Sequence, residues 1–144
     1  MFFRAIAIAL LTTCLWALTT CFAPSAQALT QVKLSELTYH ECPSELAEGA
    51  VTSGGMAMPA NCFIITGKTE NPSGKPVVNA DIFGRIYDAN GDSVMQNRTR
   101  LGSVEEIKPG IGRFELRVSV PANQPTPLKL EQFKAAGFTG MVRR

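Results

Sequence analysis

Period-two alternation is the feature of this sequence that most restricts its fold. In RFELRVSV, residues 113–120, Phe114, Leu116, Val118 and Val120 alternate with Arg113, Glu115, Arg117 and Ser119. That spacing gives a strand with one face in a core and the other in water. Weaker forms of the pattern recur. In LTQVKLSELTY, Val32 and Leu34 alternate with Gln31, Lys33 and Ser35, while CFIITGKTEN sets Cys62 and Ile64 against Phe63 and Ile65. VVNADIFGRIYD places Val78, Ala80, Ile82, Gly84 and Ile86 on one face, expected to be the inner one.

Turn-forming residues separate these runs. NPSGKP and IKPGIG are turns by composition, and PANQPTP breaks regular structure with three prolines. Asn90-Gly91 in YDANGDSV predicts a type I′ hairpin, with Asp88 capping turn amides, and SVMQNRTRL, residues 93–101, is expected to be the returning edge strand. LKLEQFKAA reads as a helix or a strand, and GFTGMVRR as a closing strand with Phe138 and Val142 inside. PSELAEGA allows one helical turn capped by Ser44. Short strands with turns every ~10 residues and no sustained helical period predict a single all-β, two-sheet β-sandwich, with a partly open barrel as the alternative.

The N-terminus fixes the expected compartment. Arg4 precedes an apolar run to Phe22, and the segment ends in Ala26-Gln27-Ala28, the order of a secretory signal peptide cleaved after Ala28. Residues 1–28 are therefore expected to leave, and 29–144 to form the domain. With Arg4 gone, 13 basic residues face 12 acidic ones, a balance without the electrostatic footprint of a nucleic-acid or anionic-membrane binder.

Cys14 and Cys21 depart with that segment, leaving Cys42 and Cys62. An even pair in an oxidising compartment is most simply a disulfide. The stretch between them, with Gly54 and Gly55 as a hinge and Met56 and Met58 as adaptable apolar side chains, is the expected binding loop for a protein partner. Two other chemistries stay open: a redox-active cysteine pair, and a copper(I) site built from His40, Cys42, Met56, Met58 and Cys62.

Other groups point to ordinary roles. Asp81, Asp88 and Asp92 lack the calcium-loop spacing, and no nucleophile-and-base signature marks an enzyme. Asn97 starts a glycosylation sequon that has no meaning in a bacterial or plastid compartment. Tyr39, Phe83 and Tyr87 are candidates for an aromatic surface patch or for cover over the outer sheet face. No cofactor is expected.

Residues 62–120 resemble the FxLYD family of immunoglobulin-like domains in exported prokaryotic proteins. The likeness lies in ITGKTENPSGKPV, RIYDANGD and IKPGIGRFELRV. The name-giving motif aligns with Gly84-Arg85-Ile86-Tyr87-Asp88, with Gly84 where the family has Phe and Phe83 one residue earlier. The resemblance implies an immunoglobulin-like β-sandwich. The chain from residue 29 on is also similar to small exported proteins of cyanobacteria and chloroplasts. That likeness implies a periplasmic or thylakoid-lumen protein, and no membrane span is expected after cleavage. The absence of a catalytic constellation and of a charge bias leads to the expectation of a non-enzymatic module that binds or supports another protein, such as a membrane (photosynthetic) complex facing the lumen.

Overall fold

Register shifts shape the sheet, and three of the four fall on a residue whose φ is positive without being glycine: Glu36 at 52°, Asn79 at 48° and Gln132 at 56°. The structure, a computed structural model, describes residues 29–52, 57–95 and 99–140. Its strands are β1 (Thr30–Glu41), β2 (Ala60–Asn71), β3 (Val77–Tyr87), β4 (Arg100–Ile107), β5 (Gly110–Pro121) and β6 (Lys129–Phe138), with one helical turn, α1 (Ser44–Ala47). All pairings are antiparallel, in the order β4-β3-β6-β1-β2-β5. The all-β expectation is met. The strands, however, join into one six-stranded sheet rather than two separate ones.

Where that sheet is strong and weak explains its shape. β2 and β5 pair along their full lengths, from Ala60↔Pro121 to Asn71↔Gly110. β1 and β6 pair only from Thr30↔Gly137 to Lys33↔Lys134, and this short join links halves β4-β3-β6 and β1-β2-β5. Beyond it the strands separate. Tyr39 bridges the gap by accepting a hydrogen bond at its hydroxyl from Leu128 N–H at 2.8 Å and by standing edge-on to Phe63. On the opposite side β4 and β5 are the outer strands, though only Lys108 and Pro109 separate them in sequence. Side chains cover that seam: a Cβ on Gly102 would meet Leu116 Cδ1 at 2.7 Å. The sheet is thus curled nearly into a barrel around Val32, Phe63, Ile65, Ile82, Ile86, Val118 and Val120.

The bulges revise the faces read from alternation. On β3 the register runs from Val78↔Phe138 to Asp81↔Ala136, three steps against two on β6. The extra residue moves burial from Val77 to Ala80, Ile82, Gly84 and Ile86, and leaves Val78 only half-buried. Glu36 does the same on β1, where burial passes from Val32 and Leu34 to Leu37 and Tyr39. β6 absorbs both the helix-or-strand segment and the first part of the expected closing strand. Phe138 is half-buried, and Val142 lies outside the described residues.

Local turns also differ from expectation. Positive φ occurs at Gly91 but not at Asn90, Gly91 N–H bonds to Asp88 C=O at 3.1 Å, and Asp88 N–H bonds to Asp92 C=O at 2.9 Å. This is a three-residue hairpin loop with a glycine bulge, not the two-residue type I′ form. Asp88, buried, accepts at Oδ1 from the amides of Asn90 and Asp92, both at 2.9 Å. The returning strand starts at Arg100 instead of Ser93; before it, Ser93 bridges Tyr87 and Val94 N–H reaches Ile86 C=O. α1 follows Pro43 at the N-cap, and Ser44 is its first residue. The expected signal peptide, 1–28, lies outside the described residues.

Asn71 holds the other end. Its side-chain NH₂ donates to the carbonyls of Lys75, Ile107 and Lys108 at 2.8, 3.2 and 3.3 Å, and its Oδ1 accepts from Ser73 N–H and Oγ–H. One side chain thereby fastens the β2–β3 turn to the end of β4. Asn71→Ala is expected to destabilise the protein by about 2–4 kcal/mol, because buried carbonyls lose their donor; chemical denaturation checks this, and an unchanged midpoint would mean that water replaces the amide. Gly91→Val is expected to cost about 1–3 kcal/mol through backbone strain alone, since a Cβ there meets nothing within 4 Å. The same denaturation assay reads it.

Candidate functional site

β2 carries four consecutive buried residues, Cys62 to Ile65, and that run positions the candidate site. Phe63 and Ile65 enter the main core, whereas Cys62 and Ile64 point to the other face and pack with Cys42, Ala47 and Ala50. The segment between the cysteines therefore forms a small lobe laid over the outside of the sheet. Its apolar contacts are few, so covalent and hydrogen-bond ties carry more of the burden.

Those ties are well defined. Cys42 and Cys62 are joined by a disulfide with Cα atoms 5.3 Å apart, and Cys42 N–H bonds to Cys62 C=O at 3.0 Å. α1 closes with Leu46 and Ala47 N–H on Pro43 C=O, and Gly49 at φ 71° ends it. The chain then forms a narrow ribbon. Val51 bridges Pro59, Thr52 N–H bonds to Met58 C=O at 3.0 Å, and Ala60 N–H bonds to Ala50 C=O at 3.0 Å. Pro59 C=O also accepts from Ala122 N–H, which ties the ribbon to the β5–β6 loop.

The lobe's outer surface is unusual in two respects. Leu46, Val51 and Met58 are 46, 51 and 46% exposed, three of the five large apolar residues so exposed among the described residues. Glu41, Glu45 and Glu48 are exposed beside them, and between Lys33 and Lys68 the sequence contains no Lys or Arg. The lobe therefore presents exposed apolar side chains among exposed carboxylates, with Val51, opposite Pro59, and Met58, opposite Thr52, on the two faces of the ribbon.

Of the residues expected to bind, Met58 is exposed on the lobe, while Gly54, Gly55 and Met56 fall outside the described residues. Leu46 and Val51 were not legible as surface residues, because nothing in a non-periodic loop tells an exposed apolar side chain from a buried one. The disulfide takes both sulfurs from the copper(I) donor set. His40 is exposed opposite Ile64 on the same face, and among the described residues no group of three or more His, Cys, Asp or Glu side chains is placed to hold a metal ion.

The remaining candidates disperse. Tyr39 turns into the core and leaves Phe83 and Tyr87, each half-buried, outside it. Asp81 pairs with Arg100 at 2.7 Å, and that hydrogen bond, followed by the charge attraction, raises the Arg100 pKa further above its ordinary value. Asp88 and Asp92 belong to the hairpin loop described above. Comparison with protein families, curated proteins and solved structures finds no match for this chain.

Replacing both cysteines by Ala is expected to lower stability by about 3 kcal/mol, the loop-closure value for a loop near this length. Limited proteolysis should then cut first within residues 43–60, with the barrel intact. Simultaneous loss of the whole far-ultraviolet β signal at low denaturant would show instead that the barrel cannot stand without the lobe.

Proposed function

We propose that this chain is a non-enzymatic exported binding or accessory module that presents the disulfide-tied lobe to a protein partner. The observation that carries the reading is the exposure of Leu46, Val51 and Met58 on a lobe clamped at both ends. Large apolar side chains left exposed on a scaffold-held loop favour an interaction site, and the clamp reduces the entropy lost when a partner orders them. The exposed Glu41, Glu45 and Glu48 favour a partner whose contact face combines apolar groups with Lys or Arg, and disfavour an anionic lipid surface.

The immunoglobulin-like reading of residues 62–120 is part of the same proposal. It draws support from the way this segment supplies two strand pairs, β2 with β5 and β3 with β4, one in each half of the curled sheet. An exported location, in a periplasm or thylakoid lumen, fits a disulfide. It also fits the described residues in containing no helix long and apolar enough to cross a membrane. A membrane complex, such as a photosynthetic one, is the partner proposed.

The test is affinity capture from native membranes with the parent protein and with a Val51→Ser, Met58→Ser variant of unchanged melting temperature. Loss of two apolar anchors is expected to weaken recovery of a saturable partner about tenfold or more. Copper(I) affinity is measured in parallel. Tight copper binding in the parent that disappears in the variant would overturn the module reading in favour of metal handling.

A further inference from the structure

A second feature lies away from the lobe, on the outer face of the sheet where β3, β6 and the start of β1 run side by side. It is a solvent-open groove of about 520 Å³, inside the ~300–1,000 Å³ range of small-molecule sites. Its floor is apolar: Phe83, half-buried although it faces outward, and Ala136, with Leu29 at one end. Arg85 and Lys134 stand over that floor, and no Asp or Glu lines it.

Two of the acids nearby are engaged with other cations. Asp81, in the row of Ala136, is held by Arg100 at 2.7 Å, and Glu70 lies 3.9 Å from Lys33. Glu131 is the register partner of Arg85, yet no ion pair joins them among the described residues. Lys134 sits opposite Phe83 on one side and Lys33 on the other. Arg85 and Lys134 are therefore close to diagonal neighbours, at the ~7–8 Å spacing that lets one anionic head reach both.

Backbone geometry singles out the same place. Phe83↔Lys134 is followed by Arg85↔Glu131, two steps on β3 against three on β6. The extra residue region includes Gln132, which lines the groove at φ 56°. Bulges of this kind re-aim side chains and recur beside binding sites. We propose that the groove binds a small amphipathic organic anion, its carboxylate head between Arg85 and Lys134 and its apolar body over Phe83, Ala136 and Leu29.

The experiment is an amide chemical-shift titration of the purified protein with octanoate, acetate and octylammonium. Octanoate is expected to give saturable shifts at residues 83–85 and 132–136. Acetate, lacking the apolar body, and octylammonium, with the opposite charge, should each bind about tenfold more weakly or worse. Arg85→Gln with Lys134→Gln, both on exposed side chains, should cost octanoate about tenfold while the rest of the spectrum holds. The proposal is overturned by unsaturable or scattered shifts, by shifts confined to the lobe, by octylammonium matching octanoate, or by a double variant that binds octanoate as the parent does.

Discussion

Two-sided burial of β2 is the constraint on which the rest of the structure depends. A strand in a curled sheet normally gives one face to the core and the other to water. The first half of β2 gives both away, with Phe63 and Ile65 inward and Cys62 and Ile64 outward. Its outward pair needs cover, and the lobe supplies it. The disulfide ties the lobe to β2 at Cys62, two residues from Ile64, so the cross-link holds the cover over Ile64 as well as restricting the unfolded chain. The continuous β2–β5 ladder then gives this doubly loaded strand a firm neighbour along its whole length.

The curl comes from elsewhere. Glu36, Asn79 and Gln132 lie on β1, β3 and β6, the strands on and beside the short join between the two halves of the sheet. Each bulge adds local twist and moves the buried face by one residue. With three of them on adjacent strands, the sheet bends enough for β4 and β5 to approach, and Gly102 leaves the space that Leu116 fills. Backbone groups at that seam are not paired across it. The exposed, charged Arg113, Glu115 and Arg117 alternate with buried residues along β5, an arrangement that discourages pairing with stray strands.

What could be read from the sequence follows from the same physics. β5 was legible because it has one buried face and no bulge, so burial and alternation coincide from Phe114 to Val120. β3 was legible only beyond Asn79, since a bulge changes the face without changing composition. Asn-Gly signalled the hairpin correctly in place but not in form: Asp88 captures the amides of Asn90 and Asp92, which shifts the left-handed position to Gly91 alone. The two-sheet expectation depended on strand count and spacing, and neither reports the four-residue join that makes one sheet. At the lobe, the cysteines and Met58 were legible as chemistry, whereas exposure of Leu46 and Val51 depends on how the ribbon lies over β2. The groove had no sequence signal at all, because Arg85 and Lys134 are 49 positions apart and meet only through the β3–β6 register.

β1 connects the two surfaces. Gln31, near its start, lines the groove and Glu41, at its end, borders the lobe, a separation of about 30 Å at the rise of an extended strand. That is roughly three to four times the ~8 Å Debye length at physiological salt, so the carboxylates of one surface do little to the cations of the other. The near-neutral total charge thus conceals a segregated one, acidic at the lobe and basic at the groove. Segregation has a physical consequence that composition cannot convey: the partner proposed for the lobe and the anion proposed for the groove would meet opposite charge on different side chains, so neither would compete with the other.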